Sequence, residues 1–350
     1  MNVTTRWTGP GQGLTDRHEK AAWALIEQSG GLGTFDLVVL AGSLPAGLGH
    51  GHSDVDLFVI PADGRPLSER VRFVDGVPVQ LNNIRREDLE LLAKTFDAYT
   101  VVPEERSQLL ALRPWAKLAT RLAYGRLVHA TAECGDLVRR CRPDVLRLLT
   151  LTDSSRMVGR LVEDAAGALL TADPLIALHA SHEALRYAAE GLLAACGDVF
   201  VSDSAHWRRL ARVPGLADLV PFLWGLSTEA PPWDAAWTDV QAHVRRVVAA
   251  TTHVVSHAQL DGWTARMTRC APPPAGPAGP YYRNPFFQVL RFGDAIAIVG
   301  PDKAFRCNDA TARAWLGADM DPAGVPAGGI ERLHQMGLLV PSDTTDPERR

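Results

Sequence analysis

Cysteine is scarce in this sequence, and no C-x-x-C pair occurs. The 350-residue chain has five cysteines: Cys134, Cys141, Cys196, Cys270 and Cys307. An odd number at these wide spacings argues against a disulfide framework and against a zinc knuckle. Reduced thiols are the simpler interpretation, and they favour a cytoplasmic protein.

Long hydrophobic runs and an excess of basic residues are absent as well. No stretch of about 18 uninterrupted apolar residues occurs, so we expect no membrane span. The first residues lack the apolar segment of a signal peptide, so no secretion signal is expected. The net charge of −4 argues against general nucleic-acid binding, which needs a basic field. A local basic groove that holds one triphosphate is compatible with this charge.

Helical and strand patterns alternate up to residue 105, which predicts a first, α+β domain over 1–105. A helix is expected from Asp16 to Gln28, with Asp16 as its N-cap and Gly30-Gly31 as its stop. Asp75-Gly76 predicts a hairpin turn. Short β-branched runs predict strands at 35–41, 56–60, 71–74 and 77–84.

Helices predominate in the rest of the chain. Helical patterns cover 109–127, 144–170, 175–195 and 237–257, which predicts an up-and-down bundle over 106–270. The Pro/Gly-rich stretch 272–280 predicts an extended linker. A small third module, 281–350, is expected to contain two strands around Gly293-Asp294 and two short helices.

The most informative segment joins the first two predicted strands. The first strand ends in Gly42-Ser43, ten residues follow, and Asp54-Val55-Asp56 then begins the next strand. Residues i and i+2 of a strand face the same side, so Asp54 and Asp56 project together. Two adjacent carboxylates repel each other unless a cation lies between them, and Mg²⁺ takes oxygen ligands of this kind.

Gly42 and Ser43 suit phosphate binding beside such a cation. Glycine has no Cβ and lets the backbone approach a ligand closely. Ser43 offers a hydroxyl and an N–H, and we expect it to begin a short helix whose N-terminus favours phosphate. The alternative is a glycine-rich loop followed by a strand that begins with two exposed acids.

This arrangement resembles the DNA polymerase β-like nucleotidyltransferase superfamily, whose signature is a hydrophobic strand, Gly-Ser, a gap and Asp-x-Asp. Gly47 in the gap and Ser53 before the carboxylates match as well. The resemblance implies an α+β fold in which a small mixed sheet with helices precedes a helical bundle. It assigns the triphosphate of an NTP, with ATP expected, to Gly42, Ser43 and Ser53. It assigns Mg²⁺ and the catalytic role to Asp54 and Asp56.

One position departs from the family pattern. A third carboxylate is expected on a later strand, where this chain has Gln80 between Val79 and Leu81. An amide coordinates a metal through its oxygen but cannot act as a base. We therefore predict Gln80 as a metal ligand and Glu87 as a candidate catalytic acid or base. A helix acid of the first turn is the alternative interpretation of Glu87.

Three stretches of the helical region carry a second resemblance: 118–127, 184–197 and 206–209. They resemble the partner domain of small-molecule nucleotidyltransferases, such as those that modify aminoglycosides. Lys117 and Arg121 are candidate contacts for the phosphates, as is Arg208. Solvated basic residues are the alternative interpretation of each.

His179, His182 and Glu183 share one helix face and form a candidate acid–base group or metal site, with Glu183 as a candidate catalytic carboxylate. A cluster at the surface or at the edge of the core is the alternative, because H-A-S-H-E is not a zinc-protease motif.

Residues 281–350 resemble a PqqD-like winged-helix unit, through 290–299, Asn308, Trp315 and 333–339. In that family the unit binds the leader of a precursor peptide by strand addition. The alternative is a small docking domain that covers the active site or completes a homodimer.

These features predict a nucleotidyltransferase that moves a nucleoside monophosphate, with AMP expected, from Mg-NTP to a hydroxyl of a small molecule or a biosynthetic intermediate. A role in secondary metabolism is expected. One alternative is a non-catalytic nucleotide- or peptide-binding subunit, which Gln80 favours. The other is a transferase that acts on a protein, a peptide or RNA.

Overall fold

The computed structural model describes residues 13–68, 71–101, 106–200, 205–274, 280–318 and 328–342. They form two compact units. The first holds the described residues of Met1–Thr100, Glu105–Arg147 and Val199–Arg208, and the second those of Val101–Glu104, Leu148–Asp198 and Arg209–Arg350. The division into three domains at residues 105 and 270 stays a prediction. Much of the predicted linker, 275–279, lies outside the described residues.

The first unit is a mixed sheet with helices. Its helices are α1 (Asp16–Gln28), α2 (Arg86–Ala98), α3 (Arg106–Leu112), α4 (Ala116–Tyr124) and α5 (Ala132–Arg140). Its strands are β1 (Phe35–Ala41), β2 (Val55–Pro61), β3 (Val71–Val74), β4 (Val77–Asn83) and β5 (Arg126–Ala130). The strand order is β3-β4-β2-β1-β5, with β2 and β4 parallel and the other pairs antiparallel. The predicted α+β class is confirmed.

Helix α1 covers one face of this sheet. Leu25 of α1 is buried in the same core as Val55 of β2 and Val79 of β4. Because side chains alternate along a strand, Asp56 and Gln80 point to the opposite face. The face away from α1 is therefore where the predicted polar site lies.

Local signals set the ends of several elements as predicted. Gly30, with a φ of 103°, follows the end of α1, although the N-cap is Thr15 rather than the predicted Asp16. In the hairpin between β3 and β4, Asp75 has a φ of 49° and Gly76 a φ of 73°. Two left-handed residues in succession are what a type I′ turn requires.

The prediction of helix through residue 127 is wrong. Helix α4 ends at Tyr124, and the chain returns to the sheet as β5 beside β1. Gly125 makes this possible, because a Cβ there would lie 2.5 Å from Val39 Cγ1. The close approach packs the end of α4 directly against β1.

The short helix expected at Ser43 is also wrong. Residues 43–47 form a turn, and the Leu48 N–H donates to the Ser43 carbonyl at 2.7 Å. Leu44 and Leu48 are buried beneath this turn. The apolar anchors bend the chain back before a helical ladder can extend.

The second unit is mainly helical in its first part. The helices are α6 (Pro143–Leu170), which begins in the first unit, α7 (Pro174–Ala195), α8 (His206–Leu210), which ends in the second, α9 (Leu219–Thr228) and α10 (Trp237–Asp261). Asp173 caps α7 by accepting from the N–H groups of Leu175 and Ile176, both at 3.1 Å. No helix in the described parts of the chain is both long enough and apolar enough to cross a membrane.

The chain beyond residue 280 adds small strands and two helices to the second unit. The elements are β6 (Tyr281–Arg283), β7 (Gln288–Phe292), β8 (Ala295–Val299), β9 (Ala304–Cys307), α11 (Asp309–Gly317), α12 (Gly329–Gln335) and β10 (Leu339–Pro341). β7, β8 and β9 form an antiparallel meander, and β6 pairs with β10. The predicted hairpin at Gly293-Asp294 and both predicted helices are present.

This C-terminal segment is docked on helix α10. The Ser256 hydroxyl accepts from the Val289 N–H at 2.9 Å, and the Gln259 side chain accepts from the Arg291 N–H at 3.1 Å. Leu260 of α10 also belongs to the segment's own apolar core. The free side of β7 is therefore capped by side chains of α10.

Candidate active site

Two carboxylates converge where β2 begins. Asp54 immediately precedes β2 and Asp56 lies within it, and both side chains are half-buried. Burial raises the pKa of Asp56, and the charge of Asp54, two residues earlier on the same face, adds to this effect. The structure thus places together the pair that strand alternation predicted.

The backbone of Gly42 lies directly against the Asp56 carboxylate. Gly42 has a φ of 92°, a left-handed conformation that favours glycine. A Cβ at this position would overlap Asp56 Oδ2 and lie 3.1 Å from its Cγ. Ala41 pairs with Asp56 across the two strands, which fixes this contact in the sheet. Gly42 is therefore required by both the backbone conformation and the space beside the acid.

Burial and the neighbouring acid raise the pKa of Asp56 to about 6. Arg121, the Asn82 side chain and Lys117 oppose these effects and lower it. The buried Nδ2 of Asn82 has no hydrogen bond of good geometry among the described residues, although the amide lies beside the carboxylate. The site thus holds concentrated negative charge that is only partly compensated.

Gln80 is the neighbour of Asp56 on β4. The parallel pairing of β2 with β4 aligns Asp56 with Gln80, while Val79 and Leu81 are buried on the α1 side. Gln80 therefore does not face the apolar core. Asn82 lies two residues further on the same face, and sequence reasoning missed it although the strand period indicates its position.

Helix α4 brings two cations to the pair. Lys117 and Arg121 are one helical turn apart, and both lower the pKa of Asp56. The Arg121 guanidinium also lies over the Phe200 ring, 4.6 Å from its centre. Helix α4, which carries both cations, packs through Gly125 against β1, the strand that flanks β2 on the side away from β4.

The loop between Gly42 and Asp54 is held by its own polar groups. The Ser53 hydroxyl accepts from the His50 N–H at 2.8 Å, and the Ser53 N–H donates to the His50 carbonyl at 2.9 Å. Arg208 donates to the Leu48 carbonyl at 3.0 Å. Ser53 and Arg208 therefore stabilise the loop, and their predicted contacts with a nucleotide stay predictions.

The other two predicted acids, Glu87 and Glu183, are described by their own contacts. Glu87 is exposed in the first turn of α2. Glu183 belongs to the second unit and accepts from Arg186 at 2.8 Å. Nothing in these contacts assigns either acid a catalytic role, and both assignments stay predictions.

The histidines near Glu183 join two helices. Nε2 of His182 on α7 lies 3.0 Å from Nε2 of His243 on α10, and His179 is exposed. Among the described residues, no group of three or more His, Cys, Asp and Glu side chains is arranged to hold a metal. These contacts agree with the alternative of a cluster at the edge of the core.

Asp54 and Asp56 nevertheless suit Mg²⁺ that arrives with phosphate oxygens. Carboxylate and amide oxygens are hard ligands of the type Mg²⁺ takes, and phosphate usually completes its shell. Burial and the charge of Asp54 both disfavour the charged form of Asp56, and a cation beside the carboxylates would offset both effects. The Asn82 amide can donate to a phosphate oxygen or, turned over, offer its own oxygen. The donor set therefore fits the predicted group.

Replacing Gln80 with glutamate is expected to tighten Mg²⁺ binding about tenfold, since affinity rises with the number of ligand charges. Without Mg²⁺ the added charge repels Asp56, so the melting temperature should fall and then recover as Mg²⁺ is added. Calorimetric titration and thermal melting measure the two effects. Gln28→Glu makes the same change on exposed α1 and serves as the control. Unchanged Mg²⁺ affinity together with normal stability would remove Gln80 from the site.

Comparisons with known proteins add little to this geometry. No family model matches the chain, and no significant match to a curated protein was found. A nucleotidyltransferase-like protein from Exiguobacterium sibiricum 255-15, known from a crystal structure, is similar in part. The two are 14% identical, the match covers 70% of this chain and 76% of that one, and the TM-score is 0.40.

Proposed function

We propose that the first unit is a nucleotidyltransferase that moves a nucleoside monophosphate, AMP by expectation, from Mg-NTP to a hydroxyl of an acceptor. The observation that carries the proposal is the contact of Gly42 with Asp56 beside Asp54, with Lys117 and Arg121 on the adjoining helix. Phosphoryl transfer depends mainly on positioning and on neutralisation of charge, which such a group provides.

In the proposed reaction the acceptor oxygen attacks the α-phosphorus of the NTP. A new phosphorus–oxygen bond forms, the bond to the oxygen that bridges to the β-phosphate breaks, and pyrophosphate leaves with the electron pair. The hydroxyl proton passes to water. Mg²⁺, when bound, neutralises the charge that develops on the phosphate oxygens.

The residues of the chain divide the remaining tasks. Asp54 and Asp56 would hold the cation, and Gly42 leaves room for phosphate against the backbone. Lys117 and Arg121 would bind the outer phosphates and stabilise the leaving pyrophosphate. Gln80 would orient the cation or the acceptor without accepting a proton.

Asp54→Asn and Asp56→Asn are expected to abolish Mg-dependent ATP binding and pyrophosphate release, with a loss of at least about a hundredfold in turnover. Each change removes a charged ligand but keeps the side-chain volume. Calorimetry with Mg-ATP and release of labelled pyrophosphate with cell extract as acceptor source measure the two effects.

Asp63→Asn is the matched control, because Asp63 is exposed beyond the other end of β2. Unchanged ATP binding in both site variants would contradict the proposal. Binding that depends on Asp54 and Asp56 without turnover of any NTP would leave the alternative of a nucleotide-binding subunit.

A second candidate function, peptide binding, is favoured by a groove in the second unit. The groove has a volume of about 600 Å³ and lies between β9, α11 and α12. Strand β9 is an edge strand of the sheet β7-β8-β9. Phe305, Arg306 and Arg332 line the groove. An extended peptide adds to such an edge through main-chain bonds. The two arginines favour one with acidic residues.

Display of random linear peptides against the full chain tests this candidate. Acidic, partly apolar peptides should be enriched, and Arg332→Glu should weaken them about tenfold, as loss of a charge pair can. Arg269→Glu, at an exposed position of the same unit, is the control. Absence of enrichment, or equal binding by Arg332→Glu, would rule the groove out as a peptide site.

A further inference from the structure

The edge strand β3 presents two apolar side chains to solvent. Phe73 is 75% exposed and Val71 is 48% exposed. Phe73 is the most exposed of the large apolar side chains in the described part of the first unit. Exposure of a phenyl ring on an edge strand is unfavourable in water, so its position relative to the carboxylates matters.

Strand register aligns both apolar residues with the candidate site. Val71 is the partner of Gln80, which is itself aligned with Asp56, so the three form one row across the sheet. Phe73 is the partner of Pro78. Residues that pair directly share a face, so these side chains lie on the same face as the carboxylates.

A second row across the sheet contains Asp54, Pro78 and Phe73. The β2–β4 pairing aligns Val55 with Val79, so Asp54 and Pro78, each one residue earlier, are level with each other. Phe73 in turn lies opposite Pro78. In both rows, therefore, a residue of β4 lies between the carboxylate and an apolar residue of β3. Neighbouring strands lie about 4.8 Å apart, so β3 is about 10 Å from the carboxylates.

The site is therefore asymmetric. The helix that carries Lys117 and Arg121 packs against β1 through Gly125, and β1 and β3 lie on opposite sides of β2 in the sheet. Both cations act on Asp56 from this helix. The β3 side offers apolar surface, with Phe73 and Val71 beyond the uncharged Gln80. Phosphates belong on the cationic side, so the second substrate approaches from the β3 side.

From this asymmetry, and on the basis of the proposed function, we infer that Val71 and Phe73 bind an apolar part of the acceptor. The acceptor is then a small molecule that carries an aromatic or aliphatic group within about 10 Å of its reacting hydroxyl, the span of two strand spacings. The two residues determine specificity and take no part in the chemistry.

The test uses 2-phenylethanol as the probe and ethanol as the probe without the apolar group. Binding to the full chain is measured by saturation-transfer NMR in the presence of Mg²⁺ and α,β-methylene-ATP, which cannot release pyrophosphate. The wild-type chain should bind 2-phenylethanol and not ethanol. Val71→Ser and Phe73→Ser should each weaken this binding at least fivefold and leave the affinity for Mg-α,β-methylene-ATP unchanged.

Leu127→Ser is the matched control, because Leu127 lies on the opposite edge strand β5 and is also 48% exposed. Nucleotide binding without binding of 2-phenylethanol, or equal binding by the β3 variants, would overturn the inference alone. Failure of the wild-type chain to bind the nucleotide would overturn the proposed function as well. Sedimentation tests whether the patch joins two copies of the chain: a dimer that dissociates in Phe73→Ser but not in Leu127→Ser would also overturn it.

Discussion

We expect Gly42→Ala to abolish nucleotide binding and to lower turnover at least about a hundredfold, which corresponds to roughly 2.7 kcal/mol. A left-handed φ of 92° strains an alanine by about 1–3 kcal/mol. The new methyl group also occupies the position of Asp56 Oδ2, so the carboxylate has to rotate away from its place beside Asp54. Calorimetry with Mg-ATP and pyrophosphate release measure the loss.

Gly51→Ala is the control, because Gly51 lies in the same loop and a Cβ there meets no atom within 4 Å. It should bind and react as the wild type does. A Gly42→Ala chain that is folded and binds Mg-ATP normally would show that the site does not use the Asp56 carboxylate in its present position.

We expect Arg209→Met to destabilise the second unit by about 3–5 kcal/mol, the usual result of removing one member of a buried ion group. Arg209 is 1% exposed and binds Glu190 and Asp198, each at 3.0 Å. Burial already raises the pKa of Glu190, and Arg209 is the main charge that lowers it. Without Arg209, two carboxylates are left without their buried counter-charge.

Chemical denaturation measures this loss, and Arg212→Met, an exposed arginine three residues further along, is the control. The pH dependence has a definite sign. A carboxyl group whose pKa is raised in the folded state stabilises that state as the pH falls through the raised pKa, because the group becomes neutral there. The deficit of Arg209→Met should therefore be smaller at pH 5 than at pH 8. A deficit below about 1 kcal/mol at pH 8 would contradict the ion-group account.

The centre of the site could be predicted because its determinants are local. The position of Asp54 and Asp56 on one face follows from a period of two, and the close approach at Gly42 follows from the absence of a Cβ. The same period would have identified Asn82. The turn after Ser43 could not be predicted, because it depends on the burial of Leu44, which is a tertiary contact.

Other features depend on pairing between distant segments. The strand that follows Gly125 pairs with β1, more than 80 residues earlier in the chain, and no local pattern specifies that partner. The Arg209 ion group joins α8 to α7 in the same way. The exposure of Phe73 also needs the sheet order, since an apolar residue in a strand pattern usually predicts core.

The buried anchors of the loop after Gly42 bear on how the site meets its ligand. Leu44 and Leu48 fix one part of the loop, and the bonds between Ser53 and His50 fix the other. The conformational entropy of this segment is therefore lost when the protein folds, and a ligand that binds beside Gly42 does not have to order it. Association there can proceed as the docking of a ligand to a preformed surface, and its rate should follow diffusion and the local field of Lys117 and Arg121 rather than a slow rearrangement of the chain.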